Sequence, residues 1–302
     1  MASSTPRLAL KVDCDTYQGS KAGIPNLLKL FDEFRIRATF FFTLGPDTSG
    51  RAITRIFTRK GFLKKMLRSN AAALYGPKTM LYGTLLPAPR IGELLKDVIR
   101  SVDTAGQDTG VHAWDHIRWH DRLDRLSEEE IERDYGRAHA AFADIFGRPA
   151  RASAAPGWHA TSRSLAVQSR HNLLYTSDTR QGSPFFPEAE GRVFGTLEIP
   201  STFPTWDEML GDPQYPNEAA FIDAYAASVQ GTEVHSIHTE VEGTARLDLF
   251  RRQLDRWRAD GVKFVTLEEL ALEALAHPQN VPIRRLERTS IPNRAGLVTT
   301  GV

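Results

Sequence analysis

The sequence predicts an α/β fold, read as a single-domain distorted (β/α) barrel. Three observations point there. Short β-prone runs alternate with helical stretches along most of the chain. The 302 residues, 41% apolar and 25% charged, suffice for one large core and exclude wholesale disorder. Chemically reactive side chains also gather at the C-terminal ends of three separate predicted strands, the end at which barrel enzymes build their sites.

In chain order, residues 8–13 read as a strand, 24–34 as a helix, and 38–44 (ATFFFTL) as a strongly β-prone strand. A helix over 91–104 leads to a strand over 109–113. Ser127 caps a long helix whose first turn carries Glu128, Glu129 and Glu130, favourable at its positive end. Strands follow over 150–154, 173–177, 196–200, 234–239 and 263–267, with helices near Glu218 and Leu247. The barrel is expected over 1–275, with a basic insertion at about 47–90. Residues 276–302 read as a loose tail, because Arg284, Arg285, Arg288 and Arg294 face only Glu287 there.

Formal charge is +1, from 38 Lys and Arg against 37 Asp and Glu, which argues against a nucleic-acid binder. Cys14 is the sole cysteine, so no internal disulfide forms and a reducing compartment fits. The first residues lack a hydrophobic signal core, and no apolar run approaches the roughly 20 residues of a membrane span. A soluble, intracellular protein is expected, with no stable protein partner inferred.

The first reactive cluster is Val12-Asp13-Cys14-Asp15-Thr16. Strand alternation points Asp13 and Asp15 the same way and Cys14 into packing. Two carboxylates on one face repel unless a cation or a proton lies between them; the bland alternative is a pair of capping aspartates. The second is His112-Ala113-Trp114-Asp115-His116, where a spacing of four along a helical turn would let both imidazoles grip one ion. His120 is expected to face solvent. The third is His238, on the face opposite His235 and at its strand's C-terminal end. One carboxylate and two histidines make a three-ligand metal site with an open position, a set shared by hydrolases and by non-haem Fe(II) oxygenases. A spare aspartate as base and an opposing histidine as acid favour hydrolysis of an amide. Zn, Mn and Co all suit these ligands.

These motifs resemble those of the NodB-homology polysaccharide deacetylase family. Val12-Asp13-Cys14-Asp15 is similar to its first motif with one residue inserted, His112 and His116 to its His-x-x-x-His, and His238 to its late strand motif. The resemblance implies a distorted (β/α)7 barrel, with Asp13 as base, Asp15, His112 and His116 as metal ligands, and His238 as acid. Further stretches, including Lys65-Met66-Leu67-Arg68-Ser69-Asn70, Pro204-Thr205-Trp206-Asp207-Glu208 and His238-Thr239-Glu240-Val241-Glu242-Gly243, resemble a particular branch of the family. That branch deformylates 4-deoxy-4-formamido-L-arabinose on undecaprenyl phosphate, at the cytoplasmic face of the inner membrane, towards lipid A modification and polymyxin resistance. The family's third motif supplies an arginine that orients the base. Here Ser153-Ala154-Ala155-Pro156-Gly157-Trp158 lacks it, and Arg180 is the candidate substitute. Asp178 is a candidate to orient His238, and Trp158 to wall the sugar pocket.

Charge is balanced overall but segregated locally. Between Asp47 and Glu93 there is no acidic residue, while Arg51, Arg55, Arg59, Lys60, Lys64, Lys65, Arg68, Lys78 and Arg90 are basic. Ile53, Ile56 and Phe57 share one helical face with Arg55 and Arg59 opposite. Leu63, Met66 and Leu67 form a second apolar face backed by Lys64, Lys65 and Arg68. Two such amphipathic basic helices suit an anionic inner-membrane surface carrying a lipid-linked sugar. The competing readings are an N-deacetylase of a cell-wall or chitin-like sugar, and a non-catalytic membrane-binding protein on an enzyme-like scaffold.

Overall fold

The computed structural model describes residues 5–54, 78–209, 212–294 and 296–302. Its central feature is a sheet of eight strands, all paired in parallel: β1 (Arg7–Cys14), β2 (Thr39–Thr43), β3 (Asp108–Ala113), β4 (Ala152–Ser153), β5 (Tyr175–Thr176), β8 (Leu197–Glu198), β9 (Thr232–His238) and β10 (Lys263–Val265). β9 runs beside β1 from Arg7 to Asp13. β10 and β2 therefore divide the other edge of β1, β10 at Arg7–Ala9 and β2 at Lys11–Cys14. Eight strands thus fill seven positions of an open, distorted barrel. Among the described residues no strand ladder joins β8 to β9; Thr202 and Phe203 bridge the gap by donating backbone N–H groups to the Val234 carbonyl.

Helices cover the outside: α1 (Tyr17–Phe34), α2 (Lys96–Thr104), α3 (His116–Arg122), α4 (Glu128–Phe146), α5 (Ser162–Gln168), α6 (Glu218–Ala227), α7 (Leu247–Ala259) and α8 (Leu267–Leu275). Alternation along β1 decides what faces what. Leu8, Leu10, Val12 and Cys14 point outward and pack with Ile24, Leu27 and Phe31 of α1 and with Phe250 of α7. Ala9 packs inside the barrel with Phe41, Tyr175 and Leu197. Lys11 and Asp13 share the inward parity of Ala9. α4 starts as predicted, with Ser127 and Glu130 closing a capping box.

The C-terminal residues are ordered, which corrects the loose tail expected over 276–302. β11 (Ile283–Ser290) and β12 (Leu297–Gly301) form an antiparallel hairpin, and β11 pairs in parallel with β6 (Phe186–Ala189), which turns back into β7 (Arg192–Val193). The charged residues alternate with anchoring ones. Val298 is fully buried, and Arg180 and Ala160 donate their backbone N–H groups to the carbonyl and hydroxyl of Thr299. Arg288 reaches Asp124 at 2.9 Å. Of the basic insertion, the side chain of Ile53 and residues 55–77 lie outside the described residues, and with them the expected membrane faces at Ile56, Phe57, Leu63, Lys64, Lys65, Met66, Leu67 and Arg68.

Candidate metal centre and catalytic pair

Parallel registry does the first part of the assembly. Asp13 pairs directly with His238 across β1 and β9, so both stand at the same height at the sheet's C-terminal end. β3 reaches the same level with an irregularity. Phe42 pairs with Val111 but Thr43 with Ala113, so His112 is the extra residue of a bulge, a device that re-aims a side chain beside a site. His116 is the first residue of α3, whose N-cap Asp115 accepts from the Arg118 N–H and from the Thr48 hydroxyl. The two imidazoles therefore meet across a strand–helix junction, ring centres 5.3 Å apart, rather than along one helical turn as the spacing suggested.

Asp15 lies between them. Its Oδ1 is 3.2 Å from His112 Nε2 and its Oδ2 is 3.4 Å from His116 Nε2. Donor atoms of Asp15, His112 and His116 all lie within 4.8 Å of one another. Asp15 Oδ1 and both nitrogens of His112 are buried with no hydrogen bond. Such orphaned donors are costly unless something binds them. One carboxylate and two imidazoles suit a divalent cation, so the donor set fits a metal. Burial pushes the Asp15 carboxyl up, but the charges of His116, His112 and His238 outweigh it and hold it well below the usual carboxylate range.

Asp13 is almost fully buried and its two oxygens differ. Oδ1 lies 4.0 Å from His112 Nδ1 with no hydrogen bond, while Oδ2 lies 3.8 Å from Lys11 Nζ. Around this pair sits a layer that sequence reasoning missed. Glu240 accepts from the Thr16 N–H at 2.8 Å and from the Thr16 hydroxyl; burial first, then Asp15, pushes its carboxyl up to about 7. A β-carbon on Gly19 would come within 2.5 Å of Glu240, so only glycine fits that turn of α1. Glu242 accepts from the His238 N–H at 2.8 Å. Cys14 points away and is buried, which raises its thiol well above the ordinary range and leaves it unreactive.

The supporting residues are placed differently from expectation. Arg180 does not replace a base-orienting arginine. Its guanidinium bonds Glu208 and the Phe203 carbonyl and stacks 4.5 Å over Trp158. Asp178 does not orient His238 either, since its oxygens accept from the Ala155 N–H at 2.7 Å and from Gln168 Nε2 at 2.6 Å. Trp158 is buried yet sits beside the site, its ring 5.4 Å from Lys11 Nζ. The hairpin loop adds Arg294, stacked 4.6 Å over the same ring and bonded to Glu208. His120 is largely covered, against Gly157 and with its ring 6.1 Å from that of His116, not solvent-facing as expected. His235 is buried among Phe203, Tyr225 and Trp257, the opposite face that alternation predicts.

A parallel barrel with a carboxylate and two imidazoles at its C-terminal end, beside a second aspartate and an opposing histidine, is the framework of a hydrolase. The chain belongs to the polysaccharide deacetylase family, whose pattern matches residues 4–176. It is 38% identical over 266 residues to a Shewanella sediminis protein named "Probable 4-deoxy-4-formamido-L-arabinose-phosphoundecaprenol deformylase ArnD", covering 87% of this chain and 85% of that one. A protein of the same name from Wigglesworthia glossinidia brevipalpis is 32% identical over 93% of this chain and 97% of its own. Among solved structures, a Mycobacterium smegmatis protein assigned as a polysaccharide deacetylase superposes with a TM-score of 0.64 at 17% identity, covering 96% of each chain. The allantoinase PuuE does so at 0.61 and 16%, covering 91% of each. These two show the shared fold. No helix among the described residues is long and apolar enough to cross a membrane.

Proposed function

We propose that this chain is a metal-dependent deformylase of 4-deoxy-4-formamido-L-arabinose carried on undecaprenyl phosphate, serving lipid A modification and polymyxin resistance. The observation that carries the reading is the convergence of Asp15, His112 and His116 within 4.8 Å of one another beside the in-register pair Asp13 and His238. The two named relatives, each similar over most of its length, supply the choice of formyl group and lipid-linked sugar.

Asp15, His112 and His116 would hold the ion; Zn, Mn and Co each match the donors. A bound divalent cation supplies Lewis-acid polarisation of the formyl oxygen and lowers the pKa of a bound water. Asp13 takes a proton from the attacking water through Oδ1, the oxygen beside His112. The new C–O bond leads to cleavage of C–N, and His238 delivers a proton to the departing sugar nitrogen. Formate and the free amino sugar lipid are the products. Trp158 walls the pocket, with Arg180 and Arg294 stacked on it.

The basic insertion supports a second part of the reading, peripheral association with the anionic cytoplasmic face of the inner membrane. Each Lys or Arg near such a surface contributes about 1 kcal/mol, screened by salt. Charge reversal at Lys64, Lys65 and Arg68 is expected to abolish sedimentation with anionic vesicles and to leave metal content unchanged. Unchanged sedimentation contradicts the membrane role.

Formate release from the lipid-linked substrate by metal-loaded protein tests the function. Turnover of an N-acetylated oligosaccharide, with none on the formylated lipid, would instead establish the N-deacetylase alternative that the family's own name favours.

A further inference from the structure

We propose that Lys11 is the positioning residue of Asp13: its ammonium group fixes one carboxylate oxygen so that the other faces the ligand cluster. The inference rests on the reading of Asp13 as the base. Lys11 is fully buried in the middle of β1, where its neighbours Leu8, Ala9, Leu10 and Val12 are all apolar. A buried ammonium is costly unless its charge is answered; the buried carboxyls of Asp178 and Glu198 feel this one from farther off, and its near neighbours are few. Nζ donates to the Ser177 carbonyl at 2.9 Å and lies 5.4 Å over the Trp158 ring and 5.8 Å over the Phe41 ring. Among the described residues the one carboxylate within ion-pair distance is Asp13, through Oδ2 at 3.8 Å.

The consequence is an asymmetric carboxylate. Oδ2 lies 3.8 Å from Lys11 Nζ, while Oδ1 has no hydrogen bond and lies 4.0 Å from Nδ1 of His112, a member of the donor cluster. A base needs this arrangement, with one oxygen anchored and the other open to a proton. Among the described residues no arginine pairs with Asp13, and Arg180 is committed to Glu208. Period-two alternation supplies the construction: Lys11, Asp13 and Asp15 follow at i, i+2 and i+4, so one strand end carries the anchor, the base and a ligand.

The test compares the full-length metal-loaded protein as wild type, Lys11→Met, Lys11→Arg, Asp13→Asn and the double variant Lys11→Met/Asp13→Asn. Lys11→Met is expected to lower kcat for formate release about 10- to 100-fold, with KM and metal content unchanged. Lys11→Arg is expected to restore most of it. Adding Lys11→Met to Asp13→Asn should change nothing further, because groups that act as a unit are non-additive. Independent losses in the double variant, or metal lost in parallel with kcat, overturn the proposal. Crystal structures of wild type and Lys11→Met give a readout that needs no turnover. Asp13 swung away from His112 supports the proposal, and an unmoved Asp13 overturns it. That holds even for a wild type that releases no formate, a result that would remove the deformylase reading alone. If Lys11→Met fails to fold, Lys11→Arg decides: kcat that tracks the position of Asp13 supports the proposal, and kcat independent of it does not.

Discussion

Replacing Asp178 with asparagine removes a proton-binding group from the protein interior, and its effect can be worked out. Asp178 is fully buried; burial first, then the neighbouring Glu198, pushes its carboxyl from 3.8 up to about 7. Burial raises the Glu198 carboxyl too, but Glu198 accepts four hydrogen bonds that favour its charged form, from the Thr176 and Thr179 hydroxyls and the N–H groups of Asp178 and Thr179. Asp178 accepts two and keeps the proton. The folded protein thus holds a proton that the unfolded chain releases near pH 4. The stabilisation is complete below that pH and is lost as pH rises through about 7. At about 1.4 kcal/mol per pKa unit, the span is on the order of 4 kcal/mol, most of it traversed between pH 5 and pH 8. Asparagine fits the site: its oxygen can still accept from Ala155. Flipping the Gln168 amide would bring its otherwise unpartnered Oε1 to the new Nδ2. Urea unfolding of wild type and Asp178→Asn at pH 5, 6, 7 and 8 is the assay. The variant's relative stability is expected to climb by about 2–3 kcal/mol across that range. A constant difference between the two proteins refutes the buried-proton account.

Asp13→Asn is expected to keep its full complement of metal while kcat falls about 10²- to 10⁴-fold, the range ascribed to general-base catalysis; metal analysis beside a formate assay checks both halves. Deleting the C-terminal hairpin from Ile283 onward should lower the melting temperature by several degrees, because it exposes Phe185 and strips Arg180 of the carbonyl of Thr299. A melting temperature equal to that of the full chain would restore the loose-tail reading. Within the hairpin, Val298→Ala removes two buried methylene equivalents and should cost about 1–2 kcal/mol in denaturant unfolding.

Much of the barrel was legible because its strands announce themselves. β1, β2, β3 and β9 each hold β-branched, aromatic or other apolar residues in short runs, and reactive residues at the ends of β1, β3 and β9 located Asp13, Asp15, His112, His116 and His238. β4, β5 and β8 were found but are only two residues long each. α1 begins at Tyr17, well before the predicted helix, because Thr16 caps it and Pro25 is accommodated inside. Gly19, Gly23 and Pro25 hid that first half. β11 escaped because half its positions are charged and most are exposed, leaving no apolar alternation to read. Lys11 was overlooked although its signal was present: a lone lysine of the same parity as Asp13 and Asp15, inside an apolar strand. Glu240 and Glu242 left no signal of comparable sharpness, because their roles depend on contacts with Thr16 and His238 that only the folded chain reveals.

Metal titration of purified, metal-stripped protein tests the centre of the account most directly. Wild type should bind one equivalent of Zn, Mn or Co, whereas His112→Ala, His116→Ala and Asp15→Ala should each lose it while remaining folded by circular dichroism. Undiminished binding of one equivalent by folded His112→Ala would show that the ion lies elsewhere and that these three residues do not form its site.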